Sequence, residues 1–231
     1  MYGHNLCPFA TRARYAFALK EVPFQHVEMD LNEKAKWHLD FNNGFVPVLE
    51  TPDGTLIKES AVIAQVAIET NHGKGVDIVP KCPIEAAKMR LAMQEYDKFL
   101  QPFYGVYMCR GEDPEKNKLL IPTLEAFNNL LEKAGPGKYL LGTEHPTQMD
   151  VWYAPFLETL CDWGQSAYAN VHDDCEFEKH GALIKSYIEL FRAHPLIAPL
   201  HMSPAACKAH TERSRGWEKG VKCQLTTSYL S

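Results

Sequence analysis

Hydrophobic and polar side chains alternate along short stretches near the beginning of the chain. Phe24–Met29 shows this alternation, and Val46–Glu50 is a largely apolar run that leads into Pro52-Asp53-Gly54. Alternation with period two is typical of a half-buried strand, and an Asp-Gly pair between apolar runs indicates a hairpin. Thr55–Ile57 follows as the return strand. The pattern therefore predicts short strands that include one hairpin.

Segments with apolar residues at helical spacing lie on both sides of these strands and make up most of the later chain. Residues 10–21 and 60–70 have this spacing, and a stretch with several glycines and prolines follows up to Pro83. Beyond Pro83 no strand pattern recurs. We therefore predict an α/β domain over residues 1–73, a linker over 74–83 and an all-helical domain over 84–231.

Four helices are predicted in the second domain. Pro122 falls in or near the first turns of the second helix. The third begins at Thr147, where Asp150 completes a capping box with Asp in place of the usual Glu. The apolar positions at helical spacing are Ala87, Leu91, Phe99 and Phe103 in the first helix, Leu120, Leu124, Phe127 and Leu131 in the second, and Ile184, Tyr187, Ile188 and Phe191 in the fourth.

Composition excludes several classes of function. A net charge of -5 over 231 residues provides no basic surface for a phosphate backbone, so nucleic-acid binding is not expected. No apolar run approaches the roughly 18 residues of a membrane helix, and the N-terminus lacks a secretory signal pattern. The seven cysteines and ten histidines contain no Cys-x-x-Cys or His-x-x-x-His pair. We expect a cytoplasmic protein with no metal site and no stable membrane insertion.

Candidate chemistry concentrates at Cys7. Pro8 is suited to the first position of a helix, which places the thiol where unpaired N–H groups and the helix dipole stabilise an anion. Such placement lowers a cysteine pKa, and Arg12 and Arg14 add positive charge. Position 10 is alanine, so a partner thiol has to come from elsewhere, most simply from a small soluble thiol. The alternative interpretation is a buried structural cysteine.

Two further motifs are ambiguous when taken alone. The Val46-Pro47 bond is expected to be trans from sequence alone, because only about 5–6% of X–Pro bonds are cis. Glu59-Ser60 precedes a helix and is explained equally by capping of the backbone. The functional alternative is a helix N-terminus that binds a substrate carboxylate, with Glu59 taking an amino group.

Three motifs in this order resemble the omega-class glutathione transferases. They are Cys-Pro-Phe-Ala-x-Arg-x-Arg from Cys7, Phe-Val-Pro-Val-Leu-Glu from Phe45, and Gly-x-Leu-Ile-x-Glu-Ser-Ala from Gly54. The resemblance spans nearly the whole chain and weakens beyond about residue 165. It implies the glutathione transferase fold, with an α/β thioredoxin-like N-terminal domain and an all-α C-terminal domain.

The resemblance also implies roles for individual positions. Cys7 is expected to form a mixed disulfide with glutathione, the co-substrate. The acceptor pocket is expected between the domains, where ordinary packing explains each candidate equally well. The implied glutathione-binding residues are Phe9, Lys34 for the glycyl carboxylate, Val46 and the cis-proline Pro47 for the cysteinyl part, and Glu59 and Ser60 for the γ-glutamyl end. The acceptor candidates are Tyr107, Met108 and Trp217.

The implied activity is that of a thioltransferase and dehydroascorbate reductase. Its expected partners are glutathione, small thiols and disulfides or dehydroascorbate, and a second copy of the chain in a homodimer. Two alternatives remain open. One is a membrane-associating relative of the chloride intracellular channel type, and the other is a non-catalytic relative such as the transferase-like domain of an elongation factor.

The chain departs from the family at its first strand. In the family a central strand ends just before the loop that carries the cysteine, but here only Met1-Tyr2 precede that loop. A sheet without most of this strand leaves ladder groups unpaired. We therefore expect an apparently truncated first strand, through loss of several N-terminal residues or a vestigial strand.

Overall fold

The computed structural model describes residues 1–31, 33–70, 73–166 and 168–201. Its first part is a thioredoxin-like α/β unit. The elements of this unit are β1 (Tyr2–Gly3), α1 (Pro8–Leu19), β2 (Val27–Glu28), α2 (Lys36–Asn42), β3 (Val48–Glu50), β4 (Leu56–Lys58) and α3 (Ser60–Thr70).

The later part of the described chain is helical. None of the described helices is long and apolar enough to cross a membrane. The helices are α4 (Pro83–Asp97), α5 (Gln101–Met108), α6 (Pro114–Lys118), α7 (Ile121–Ala134), α8 (Gln148–Trp163), α9 (Ala169–Asp174), α10 (Phe177–His180) and α11 (Ala182–Arg192), with 3₁₀ turns at Lys98–Leu100 and Ala198–Leu200.

The sheet contains the first strand in spite of its shortness. The strand order is β2-β1-β3-β4, with β1 parallel to β2 and antiparallel to β3. Met1 extends the pairing, because its carbonyl accepts a hydrogen bond of 2.9 Å from the Val27 amide. Its side chain is buried in the core. The first strand is therefore short, as expected, but it is present at its central place in the sheet.

The predicted hairpin is confirmed. β3 and β4 pair antiparallel with Leu49 opposite Ile57. Gly54 lies in the turn at φ +85°, a backbone conformation that glycine adopts without steric cost. The Asp53 carboxylate accepts a hydrogen bond of 3.1 Å from the Thr55 amide, which fixes the turn. The Asp-Gly signal therefore identified this element correctly.

The helical predictions differ in accuracy. The buried faces of α7 and α11 contain the predicted leucine, isoleucine and aromatic residues. The prediction of one long first helix is wrong, because α4 ends at Asp97 and the chain forms a 3₁₀ turn at Lys98–Leu100 and then α5. Pro102 in the first turn of α5 explains the break, since its ring is incompatible with a continuous helix. The predicted face of α4 is also wrong, because Ala86 and Met89 are buried while Leu91 is 60% exposed.

The capping box at the start of α8 is confirmed. One Asp150 carboxylate oxygen accepts hydrogen bonds of 2.7 Å from both the amide and the hydroxyl of Thr147. The other oxygen accepts from the Leu140 amide and the Tyr187 hydroxyl, each at 2.9 Å. Asp150 thus joins the preceding loop and α11 to the start of α8.

Helix α1 belongs to the cores of both parts of the molecule. Nine of its 12 residues are buried, and it packs against α3 on one side and α8 on the other. Its polar side chains also reach the helical part. The Arg14 guanidinium donates to the Leu200 carbonyl at 3.0 Å, and the Tyr15 hydroxyl donates to the Glu158 carboxylate. Burial on two sides makes α1 a fixed support for whatever lies at its N-terminus.

Candidate active site

Cys7 is the N-cap residue of α1, as the Cys-Pro pair predicts. Its backbone is extended, at φ -82° and ψ 116°, and Pro8 begins the helix. The Cys7 amide donates to the His4 carbonyl at 2.9 Å, and the Cys7 carbonyl accepts from the Thr11 amide at 2.9 Å. The residue is half-buried. The thiol therefore lies at the end of a rigid helix.

The expectation of a lowered thiol pKa is wrong. Burial raises the pKa of Cys7 above its ordinary value, because desolvation penalises the thiolate. The backbone N–H groups of Ala10 and Phe9 and the charge of Arg12 lower the pKa, but they do not offset burial. Arg14 is directed to the Leu200 carbonyl instead.

Arg12 connects the start of α1 to the start of α3 and to α8. Its guanidinium is buried and donates to the Ser60 hydroxyl and to the Trp152 carbonyl, both at 3.2 Å. It also lies 5.3 Å from the ring centre of Phe9 and 5.0 Å from that of Trp152. Burial lowers the pKa of Arg12 to about 10. The buried guanidinium therefore links three elements of the fold.

The two ambiguous motifs take special backbone conformations. The Val46–Pro47 bond is cis, so the trans expectation is wrong and the implication of the family resemblance is confirmed. Glu59 has φ +71°, in the left-handed region that costs a residue other than glycine about 1–3 kcal/mol. Its carbonyl accepts from the Ile63 amide at 2.9 Å. Glu59 is exposed and Ser60, the first residue of α3, is buried. Strain of this kind concentrates at ligand sites.

The other implied glutathione residues lie on different surfaces. Phe9 stacks on Tyr104 at a centroid distance of 5.7 Å and meets Phe156 edge-on at 5.1 Å. Lys34 is half-buried, and its ammonium lies 5.8 Å from the ring centre of Phe45. Arg12 thus contacts both Phe9 and Ser60, whereas Lys34 lies against the loop before Pro47.

The acceptor candidates lie on α5 or outside the described residues. Tyr107 is 52% exposed and Met108 is 79% exposed, and Trp217 lies outside the part that the structure describes. Burial, together with the Cys7 thiol, raises the pKa of Tyr107. Tyr104, which the sequence analysis missed, has its pKa raised to about 12 by the same two causes. Its spacing of three residues from Tyr107 on one helix face is the signal that could have identified it.

A polar cavity beneath the Cys7 loop was also not predicted. Its volume is about 50 Å³, and residues of the loop, α1, α8 and α11 line it. The Glu158 carboxylate accepts from Arg192 at 2.6 Å and pairs with His201 at 2.8 Å, and Arg192 also pairs with Asp162 at 2.7 Å. Among the described residues no cluster of three His, Cys, Asp or Glu side chains could hold a metal ion.

Several known proteins with similar sequences are glutathione transferases. The profile of the family described as "Glutathione S-transferase, N-terminal domain" matches residues 6–70. The chain is 26% identical to mouse glutathione S-transferase omega-1, over 69% of this chain and 66% of that protein. It is 25% identical to the pig omega-1 protein, over 92% of this chain and 84% of that protein. It is 30% identical to maize glutathione transferase GST 23, over 66% of this chain and 69% of that protein.

Solved structures of glutathione transferases share the fold of this chain. The trimeric glutathione transferase TDR1 from Leishmania has a TM-score of 0.74 at 23% identity, and the match covers 91% of this chain but 47% of that one. Glutathione transferase Omega 1C from Trametes versicolor has a TM-score of 0.72 at 21% identity, and the match covers 93% of this chain and 95% of that one.

Proposed function

Since the chain belongs to the glutathione transferase family, we propose that it acts as an omega-like member with Cys7 as the nucleophile. The activity is that of a glutathione-dependent thioltransferase and dehydroascorbate reductase. The observation that carries the proposal is the position of the Cys7 thiol at the N-terminus of α1, beside the Arg12 guanidinium that binds Ser60. A tyrosine or serine would suit conjugation better, so we expect conjugation of electrophiles to be weak.

Glutathione is expected to lie along the edge of the sheet next to Cys7. Ser60 and the strained Glu59 hold its γ-glutamyl end, and the backbone of Val46 before the cis-proline Pro47 pairs with its cysteinyl part. Lys34 binds the glycyl carboxylate. Phe9 supports the site from beneath, through its contacts with Tyr104 and Phe156.

The chemistry is thiol–disulfide exchange in two steps. The Cys7 thiolate attacks the glutathione sulfur of a mixed disulfide, which forms the Cys7–glutathione disulfide and releases the other thiolate. A second glutathione thiolate attacks this disulfide, giving oxidised glutathione and the free Cys7 thiolate. With dehydroascorbate, two glutathione molecules supply the two electrons and two protons that form ascorbate. The acceptor lies beside Tyr107 and Met108, with Trp217 a further candidate.

The compartment, the oligomeric state and the metal requirement are proposed from the family and the composition. We propose a cytoplasmic homodimer that requires no metal. The five described cysteines are free thiols, as a reducing compartment allows. The domain limits proposed above, 1–73 and 84–231, place Cys7 in the first domain and Tyr107 in the second.

The first test compares Cys7→Ala with Cys82→Ala. Cys82 also precedes a proline at the start of a helix, α4, but it is exposed. Glutathione-dependent reduction of a glutathione mixed disulfide and of dehydroascorbate is measured for both variants. We expect Cys7→Ala to lose at least about 100-fold in rate and Cys82→Ala to keep the wild-type rate.

Two results would contradict the proposal. Activity that survives in Cys7→Ala would show that another group is the nucleophile. A wild-type protein that binds glutathione in calorimetry but turns over neither substrate would support the non-catalytic alternative.

A further inference from the structure

Glu28 lies beside the loop that leads to Cys7. It ends β2, the strand parallel to β1, and its side chain is mostly buried. One carboxylate oxygen accepts a hydrogen bond of 3.0 Å from the Asn5 amide. The other lies 2.8 Å from the His26 imidazole, and His4 lies 3.9 Å from the first oxygen. A carboxylate between two imidazoles therefore holds one peptide of this loop.

The contacts of the loop continue from Glu28 to the thiol. The peptide before Cys7 is fixed because the Cys7 amide donates to the His4 carbonyl at 2.9 Å. The Asn5 carbonyl accepts from the Thr11 hydroxyl at 3.4 Å, which ties the loop to the second turn of α1. The Asn5 amide points the other way, to Glu28. Loss of this one acceptor would leave a partly buried N–H group unsatisfied and the loop held from one side only.

We propose that Glu28 is a positioning residue for Cys7, whose carboxylate, held between His26 and His4, fixes the loop through the Asn5 amide. The inference rests on the proposed role of Cys7 as the nucleophile. Glu28 touches neither glutathione nor the acceptor in this scheme and acts only through the loop.

The negative charge of the Glu28 carboxylate disfavours the thiolate form of Cys7. Glu28 raises the pKa of Cys7, whereas Arg12 lowers it. Three other groups belong to this charge network: His4, whose pKa is lowered by burial, Asp30, which acts on His4, and Arg14, which lies within reach of Glu28. Glu28 therefore has two opposite effects on Cys7, because its hydrogen bond orders the thiol and its charge disfavours ionisation.

The substitutions Glu28→Gln and Glu28→Ala separate these two effects. Glutamine keeps an oxygen that can accept from the Asn5 amide and removes the charge, whereas alanine removes both. A matched control is Glu50→Gln, at an exposed glutamate of the same sheet whose carboxylate binds the Tyr2 hydroxyl. Alkylation of Cys7 by iodoacetamide is followed against pH by mass spectrometry of its peptide, with the Cys82 peptide as internal reference. Turnover is measured in parallel.

Both Glu28 variants are expected to move the midpoint of the Cys7 alkylation profile to lower pH. Glu28→Gln is expected to keep kcat within about twofold, and Glu28→Ala to lower it by about tenfold. Glu50→Gln is expected to change neither quantity, and the Cys82 profile is expected to be the same in all variants. A kcat as low in Glu28→Gln as in Glu28→Ala, or a wild-type kcat in Glu28→Ala, would overturn the proposal. Alkylation needs no glutathione, so failure of the proposed function would appear separately, as turnover that survives Cys7→Ala.

Discussion

Cys7 and Cys82 occupy the same local position, the residue before a proline at the start of a helix. Both have extended backbones, with φ and ψ of -82° and 116° for Cys7 and -72° and 120° for Cys82. Their surroundings differ. Cys82 is exposed, whereas Cys7 is half-buried, and Arg12 of its own helix and Glu28 of β2 both act on its pKa. We therefore expect these neighbours to make the two thiols differ in reactivity.

Replacement of Arg12 by methionine tests what its buried charge does. Methionine has a similar length and can pack on the same rings, but it cannot donate to the Ser60 hydroxyl or the Trp152 carbonyl. We expect the free energy of unfolding of Arg12→Met to fall by about 1–3 kcal/mol in urea titrations, because buried acceptors lose their donor. We also expect slower alkylation of Cys7 near neutral pH, because the positive charge that lowers the thiol pKa is lost.

Arg14→Met is the matched control for Arg12→Met. Arg14 is equally buried on the same helix but donates to the Leu200 carbonyl. We expect its replacement to leave the alkylation profile of Cys7 unchanged. An Arg12→Met protein with wild-type Cys7 reactivity would show that the guanidinium does not act on the thiol.

Residue-scale chemistry could be predicted from the sequence only where it is local. The position of Cys7 at a helix start follows from Pro8. The cis bond before Pro47 was indicated only by the family resemblance, and the strain at Glu59 left no signal in the sequence. The pKa of Cys7 could not be predicted, because it depends on burial by segments distant in the chain. The same holds for Tyr104 and Glu28, which approach Cys7 only in the folded protein.

Elements were predictable where one local signal was clear. α7 and α11 each have a single apolar face, the β3–β4 hairpin has an Asp-Gly turn, and each forms as expected. α4 carries apolar residues on two faces, so spacing alone could not identify the buried one. The core takes the face with Met89, and the face with Leu91 is left exposed.

Asp150 allows a test at the scale of the element. Its two oxygens accept four hydrogen bonds, and asparagine offers one acceptor oxygen to the same buried donors. We expect Asp150→Asn to lower the free energy of unfolding by about 2–4 kcal/mol, measured by urea denaturation.

Asp113→Asn is the control for this prediction. Asp113 caps the short helix α6 at a more exposed position, and a single one of its oxygens accepts from the Glu115 and Lys116 amides. Asparagine caps helices about as well as aspartate, so we expect a change below about 0.5 kcal/mol. Equal losses in the two variants would contradict the role assigned to the Asp150 network.

At the scale of the whole molecule, the exposed apolar face of α4 is where we expect the second copy of the chain. Ile84 and Leu91 are 64% and 60% exposed, with exposed Ala87 between them at helical spacing. Leu91→Glu is expected to convert a dimer into a monomer in size-exclusion chromatography with light scattering. Leu119→Glu, at a leucine that is 57% exposed on another surface, is expected to remain dimeric. A monomeric wild-type protein would refute the dimer.

The packing of helix α1 against both parts of the molecule affects how the two parts could be recombined with other proteins. Its buried faces pack against α3 and α8 together, and its arginines and Tyr15 find their partners in the helical part. A recombination event that joined the first part to a foreign helical partner would uncover these polar groups in an apolar surface. We therefore expect the α/β unit to lose stability when it is joined to a helical part that lacks these partners.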